Sequence, residues 1–185
     1  MGKTIAFMGD TGSFSRNYVI AVNKLKSDSV VLLGDNFYPI GINKNHLINF
    51  NKLWSTNPYV NKYMILGNHE YSGPPVKLYL NSHYWTMPDY CYMVEYEHCD
   101  IIMIDTMQLE PNWGLPEEHI TTYMNGPGVV TRDLVARSTG VDTFKEIHNY
   151  QLEHIKNCLS HNPKKPKIVC GHYHIESPGY YDTNK

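Results

Sequence analysis

Short apolar runs alternate along the chain with stretches whose apolar residues recur at helical spacing. The apolar runs predict strands at residues 3–8, 29–33, 63–66, 90–96, 101–104 and 167–170. The helical spacing predicts a helix capped by Ser13, a second helix over residues 47–54 and a third from Thr143 to Leu159. Alternation of this kind predicts an α/β layered fold with a parallel or mixed sheet.

One long stretch, from Gln108 to Asp142, fits neither the strand period nor the helical period. Prolines and glycines punctuate it, and a segment of this length without regular structure is usually a lid or an insertion. We therefore expect an irregular insertion or lid over 108–142 within a single domain of residues 1–185. The length of 185 residues and the hydrophobic fraction of 42% suit one folded domain.

The charge balance and the apolar runs exclude two classes of partner. With 16 basic and 18 acidic residues the formal net charge is −2, so no basic excess is available to bind a phosphate backbone. The apolar runs are far shorter than the roughly 20 residues that a membrane span requires, and the N-terminus lacks a signal-peptide pattern. We expect a cytoplasmic protein that binds neither nucleic acid nor membranes.

Polar side chains follow most of the predicted strands directly, usually after a glycine. These strand ends are Gly9-Asp10, Gly34-Asp35, Gly67-Asn68-His69, Asp105 and Gly171-His172. Ligands of open α/β sheets bind beyond the carboxyl ends of the strands, so we expect these side chains to converge. Carboxylate and phenolate oxygens combined with imidazole suit iron, zinc and similar metals. Such a set could hold two ions about 3.5–4 Å apart, the arrangement that hydrolyses phosphate esters.

Several sequence blocks resemble, in combination and in order, the motifs of calcineurin-like metallophosphoesterases. The blocks are Gly9-Asp10-Thr11-Gly12, Gly34-Asp35-Asn36-Phe37-Tyr38, Gly67-Asn68-His69-Glu70 and Gly171-His172-Tyr173. Tyr38 narrows the resemblance to the purple acid phosphatases of the tartrate-resistant type, and the likeness covers nearly the whole chain except 108–142. It implies the layered α/β/β/α sandwich of that family.

The resemblance also implies a centre of two metal ions. Asp10 and Tyr38 would bind Fe³⁺, and Asp35 would bridge this ion to a second ion, which would be Fe²⁺, Zn²⁺ or Mn²⁺. Asn68 and His172 would bind the second ion. Only a strongly polarising cation such as Fe³⁺ would hold the phenol of Tyr38, whose ordinary pKa is about 10, as phenolate in acid.

The implied activity is that of an acid phosphatase-like hydrolase acting on a small phosphate ester. Hydroxide activated by the two ions would attack a phosphomonoester in line, without a covalent enzyme intermediate. His69 would be the catalytic residue that stabilises the phosphate and protonates the leaving alkoxide. Asp105 is not a ligand in the family, and we expect it to be structural.

The family pattern contains a further Gly-His-x-His block on a later strand, and this C-terminal motif is absent after His172. We therefore expect a truncated member whose second sheet is incomplete and whose ions each lack one imidazole. His174 is a candidate substitute ligand. The open sheet edge would favour self-association or a partner chain that completes the sheet.

Three interpretations of function are compatible with the sequence. The first is an active metal-dependent phosphatase, and the second is an inactive relic, a binding module or one half of a split enzyme. The third is a phosphodiesterase or nucleotide phosphatase with Mn²⁺ in both positions, against which Tyr38 argues.

Overall fold

A parallel three-stranded sheet carries the first three strands of the chain. The computed structural model describes residues 3–12, 16–109 and 130–173. In it, β1 (Ile5–Met8), β2 (Ser29–Leu33) and β3 (Asn61–Ile65) lie side by side in that order. Both pairings are parallel, so the three carboxyl ends meet at one edge of the sheet. The central strand β2 is buried almost throughout, as its continuous apolar sequence predicts.

A second three-stranded sheet contains the remaining strands. It consists of β4 (Tyr92–Glu95), β5 (Asp100–Met103) and β6 (Lys167–Cys170), with β5 in the middle. β4 is antiparallel to β5, and β6 is parallel to it. All residues of β5 are buried, because one face meets the first sheet and the other is covered by a helix.

Six α-helices and one 3₁₀ helix (Val76–Tyr79) connect the described strands. The α-helices are α1 (Arg16–Lys24), α2 (Lys44–Trp54), α3 (Asn68–Tyr71), α4 (Thr106–Leu109), α5 (Arg132–Thr139) and α6 (Phe144–Ser160). α6 begins with a capping box in which Thr143 and Glu146 satisfy each other's backbone N–H groups. Ser13, the expected cap of α1, lies outside the described residues. Among the described helices, none has the length and apolar character needed to cross a membrane.

Two apolar clusters separate the layers, and β5 contributes to both. Ile101 and Met103 belong to a large cluster that the two sheets share with α1 and α2, whereas Ile102 and Ile104 belong to a smaller one. Alternate residues of a strand point to opposite faces, so the smaller cluster lies on the outer face of the second sheet. α6 covers that face through Cys158. The layers therefore run helix, sheet, sheet, helix, which confirms the expected α/β/β/α sandwich.

The expectation of irregular structure over 108–142 is wrong for Arg132–Thr139, which forms α5. Thr131 caps the helix by accepting the N–H of Leu134, and Gly140 ends it in the left-handed conformation at φ 83°. α5 packs on α6 and the 3₁₀ helix, and tertiary contacts of this kind stabilise a short helix whose flanks are rich in glycine and proline. Residues 110–129 of the expected insertion lie outside the described residues.

Within the described part of the chain, β6 pairs only with β5. Ile168 and Val169 of β6 are 41% and 43% exposed, which is unusual for adjacent β-branched residues in a strand. Self-association or a partner chain at this edge stays a prediction.

Candidate metal centre

A phenol and two carboxylates meet beyond the ends of β1 and β2. The hydroxyl oxygen of Tyr38 lies 2.9 Å from Oδ1 of Asp10 and 3.1 Å from Oδ2 of Asp35. Burial, the hydrogen bond to Asp10 and the negative charge of Asp35 raise the pKa of Tyr38 well above its ordinary value. A phenolate here therefore requires a cation among the three oxygen ligands, which suits a hard, highly charged ion.

An imidazole and an amide face the other side of Asp35. Nε2 of His172 lies 3.1 Å from Oδ1 of Asn68 and 3.4 Å from Oδ1 of Asp35. Nδ1 of the same ring lies 2.9 Å from the carbonyl oxygen of Leu33. Because a carbonyl can only accept, Nδ1 donates to it, and Nε2 is the ring nitrogen that is left to bind a metal.

Asp35 thus belongs to both groups of ligands, with one carboxylate oxygen directed to each. Ligand atoms of Asp10, Asp35 and His172 all lie within 4.8 Å of one another. The expected ligands Asp10, Asp35, Tyr38, Asn68 and His172 are brought together at one edge of the first sheet. Converging carboxylates with lone pairs of nitrogen and oxygen fit a pair of cations that share Asp35. His174, the candidate substitute ligand, lies outside the described residues.

Two of these ligands have an unfavourable backbone conformation. Asp10 and Asp35 adopt φ angles of 52° and 50°, in the left-handed region that residues other than glycine seldom occupy. Such a conformation costs on the order of 1–3 kcal/mol and persists where the surrounding structure enforces it, most often at functional sites. In both Gly-Asp turns the strain falls on the aspartate that faces the site.

Two glycines allow the close approach of the site residues. A Cβ atom at Gly12 would overlap the ring of Tyr38, and one at Gly67 would overlap the carboxylate of Asp35. The absence of a side chain at Gly12 lets the turn after β2 lie against the end of β1. The absence of one at Gly67 lets the same turn lie against the end of β3. Any side chain at either position would displace a candidate ligand.

Glu70 is a buried residue of the site to which the sequence analysis assigned no role. Its side chain is 0% exposed and accepts the backbone N–H groups of Asp35, Asn36, Phe37 and Gly67. Burial raises the pKa of Glu70, and the backbone hydrogen bonds, which favour the ionised carboxylate, oppose this shift. The sequence signal for Glu70 was its place in the block Gly67-Asn68-His69-Glu70, because a carboxylate inside a buried turn requires hydrogen-bond donors.

His69 lies at the rim of the centre, beside both ligand groups. Its Nδ1 is 2.6 Å from the carbonyl oxygen of Pro39, and its Nε2 is 3.8 Å from Oδ2 of Asp35. The backbone N–H of His69 also donates to Asp35, and the ring edge contacts Tyr38. With 21% of the side chain exposed, the imidazole can reach a molecule that enters from solvent.

Asp105 lies in a buried network away from these ligands and is structural, as expected. Its carboxylate accepts the hydroxyl of Tyr71 at 2.5 Å and the N–H of Met107 at 2.9 Å. Its own backbone groups pair with the side-chain amide of Gln151 on α6. Asp105 therefore ties the end of β5 to three helices, α3, α4 and α6.

The sequence model of the calcineurin-like phosphoesterase family matches residues 3–185 of this chain. The chain belongs to this family. The chain is 26% identical over 200 residues to purple acid phosphatase 3 of Arabidopsis thaliana, with 96% of the chain and 50% of the relative covered. It is also 26% identical over 193 residues to purple acid phosphatase 17 of the same plant, covering 96% of the chain and 52% of the relative.

The fold of the chain also occurs in a solved structure, that of GAP50, described as the anchor in the inner membrane complex of Plasmodium. The TM-score is 0.58 at 21% identity, and the match covers 90% of this chain and 53% of that one. The chain thus spans about half the length of the relatives that it matches. The family generally binds a dinuclear metal centre, and Asp10, Asp35 and His172 form a cluster that could hold a metal ion.

Proposed function

We propose that this chain is a metal-dependent phosphomonoesterase of the purple acid phosphatase type. Asp10, Tyr38 and Asp35 would hold Fe³⁺, while Asp35, Asn68 and His172 would hold Fe²⁺, Zn²⁺ or Mn²⁺. The observation that carries the proposal is the phenol of Tyr38, which lies within hydrogen-bond distance of both Asp10 and Asp35. A phenolate is a hard oxygen ligand that distinguishes this centre from one of carboxylates, amides and imidazoles alone.

The side chains of the centre have separate tasks in this proposal. Bound ions supply Lewis acidity, which lowers the pKa of water and polarises a phosphate ester. Asp35 links the two ligand groups because it belongs to both, and the Leu33 carbonyl orients His172. His69 holds a proton: since its Nδ1 is bonded to Pro39, the second proton of the imidazolium is on Nε2, which faces the site. From there it can be delivered to a leaving alkoxide.

A second candidate function is a metal-binding module without catalysis. Asp10, Asp35 and His172 alone form a compact three-ligand set, which suffices to hold a single ion. The two candidates differ in metal stoichiometry, because the catalytic proposal requires an ion in each ligand group.

The test is the metal content of the folded chain after loading with iron and zinc, followed by hydrolysis of p-nitrophenyl phosphate. The catalytic proposal requires two ions per chain and turnover of the ester. Asp35→Asn is expected to lose both, because Asp35 serves both ligand groups. Asp133→Asn, which alters an exposed carboxylate in the first turn of α5, is the matched control and is expected to retain both. One ion without turnover would favour the binding module, and full turnover of Asp35→Asn would contradict the two-ion assignment.

A further inference from the structure

We propose that Glu70 is a positioning residue that sets the geometry of Asp35 and thereby the metal affinity of the centre, an inference that rests on the proposed function. Four backbone N–H groups converge on its carboxylate. Oε1 accepts from Asn36 at 2.7 Å and from Phe37 at 3.0 Å, while Oε2 accepts from Asp35 at 2.9 Å and from Gly67 at 2.7 Å. One side chain therefore satisfies three consecutive N–H groups of the turn after β2 and one of the turn after β3.

These hydrogen bonds are made at a point where the backbone conformation is unfavourable. Asp35 has a φ angle of 50°, and the carboxylate of Glu70 accepts the N–H of that same residue and of the next two. Without an acceptor these buried N–H groups would lose their partner, and the turn could relax towards an ordinary conformation. Such a relaxation would rotate the carboxylate of Asp35 away from His172 and Tyr38.

Glu70 also fixes the distance between the two ligand-bearing turns. The residues before it in α3, Asn68 and His69, include a candidate ligand and a side chain at the rim of the centre. The backbone N–H of His69 donates to Oδ1 of Asp35 at 3.0 Å, so a second bond joins the same two turns. The buried carboxylate of Glu70 thus holds Asp35 in register with Asn68 through backbone N–H groups alone, and it makes no hydrogen bond to the side-chain atoms proposed to bind metal.

Only a carboxylate can make this set of bonds. It offers two acceptor oxygens, whereas the amide of glutamine offers one oxygen and an NH₂ group that can only donate. In Glu70→Gln, one pair of backbone N–H groups would face the NH₂ group and lose its acceptor. Glutamine has nearly the same shape, so the substitution tests the hydrogen bonds rather than the packing.

The experiment compares wild type, Glu70→Gln and the control Asp105→Asn. Asp105 is equally buried and also accepts a backbone N–H, but its partners lie in α3, α4 and α6 and include none of the candidate ligands. Two properties are measured: the affinity for Zn²⁺ by titration calorimetry, and amide hydrogen exchange in the metal-free protein. We expect Glu70→Gln to bind Zn²⁺ about 10–100-fold more weakly and to exchange faster at residues 35–37 and 67. Asp105→Asn is expected to match wild type in both.

Three outcomes test the positioning role of Glu70. A folded Glu70→Gln with wild-type affinity and exchange overturns the role of Glu70. Should Glu70→Gln fail to fold, Glu70→Asp decides instead: its shorter side chain keeps the charge but not the reach, so weaker binding supports the role and unchanged binding overturns it. A wild type that binds no metal, while exchange in Glu70→Gln is still accelerated, overturns the proposed function and leaves the positioning of the β2 turn in place.

Discussion

Tyr38 is the residue whose replacement bears most directly on the type of metal centre. Its hydroxyl is the only part that Phe lacks, while its ring packs against Gly12 and His69. We predict that iron-loaded wild type has a visible phenolate-to-iron charge-transfer band and that Tyr38→Phe loses it while remaining folded. The absorption spectrum checks this. Tyr150→Phe, which removes a hydroxyl bonded to Asp89, away from the candidate ligands, should keep the band. A colourless wild type loaded with iron would count against the purple acid phosphatase type.

A substitution can also test the role of His69 separately from metal binding. Its side chain belongs to neither ligand group, and its contact with Asp35 Oδ1 comes from the backbone, which alanine retains. We predict that His69→Ala lowers kcat for p-nitrophenyl phosphate about 10²–10⁴-fold, the range for loss of a general acid, while the metal content stays unchanged. His98→Ala, at a side chain that is 81% exposed, is the control. Unchanged kcat in His69→Ala would exclude the proton transfer proposed for this residue.

At the scale of secondary-structure elements, Asp105 at the end of β5 should make the free energy of unfolding depend on pH. Burial raises the pKa of Asp105 to about 7, from about 3.9 in an unfolded chain. A carboxyl group with a raised pKa binds its proton more tightly in the folded state. Its contribution to stability is therefore full below about pH 4 and is lost as the pH rises towards 7, with a slope of at most about 1.4 kcal/mol per pH unit.

Asp105→Asn should remove this contribution, so its free energy of unfolding should depend less on pH between 4 and 7 than that of wild type. Urea unfolding at several pH values measures the difference. Glu70 is present in both proteins, so its own titration cancels in the comparison. Parallel curves for the two proteins would show that Asp105 does not titrate in this range.

The elements differ in how far their sequence predicts them. β2 is a continuous apolar run, and α6 has both an apolar stripe and the Thr143–Glu146 capping box, so both were predicted to within a residue at each end. α5 was missed because its neighbours, rich in glycine and proline, suggested a loop. Its own signals, a threonine cap and Gly140 at the end, were local and present. What periodicity cannot show is that the strands divide into two sheets, since that depends on contacts distant in sequence.

Part of the candidate centre was predictable because Asp10, Asp35 and Asn68 follow the three parallel strands of the first sheet, and parallel strands bring their carboxyl ends together. His172 follows β6 of the second sheet, and Tyr38 lies further along the turn after β2, so this rule places neither of them. The role of Glu70 was not predictable in this way, because it depends on the direction of backbone N–H groups in a turn from another strand, which the block Gly67-Asn68-His69-Glu70 does not specify.

At the scale of the whole molecule, a tyrosine joins the two sheets. Tyr92 of β4 is 5% exposed, and its hydroxyl accepts the N–H of Met64 of β3 at 3.1 Å and lies 2.8 Å from the carbonyl oxygen of Met64. The same hydroxyl lies 3.0 Å from the carbonyl oxygen of Thr86. The hydroxyl thus bonds the buried backbone of Met64 on the other sheet, and losing a buried hydrogen bond of this kind costs about 1–3 kcal/mol.

We therefore predict that Tyr92→Phe lowers the free energy of unfolding by about 1–3 kcal/mol, whereas Tyr150→Phe, at an exposed hydroxyl, changes it by less than about 0.5 kcal/mol. Urea unfolding measures both. The metal content of Tyr92→Phe should equal that of wild type, because the candidate ligands lie on the first sheet's own strand ends, apart from His172 after β6. A loss of metal in parallel with stability would instead show that His172 reaches the centre only when the sheets are held in this exact packing. An unchanged free energy of unfolding would mean that the hydroxyl of Tyr92 does not help to hold the two sheets together.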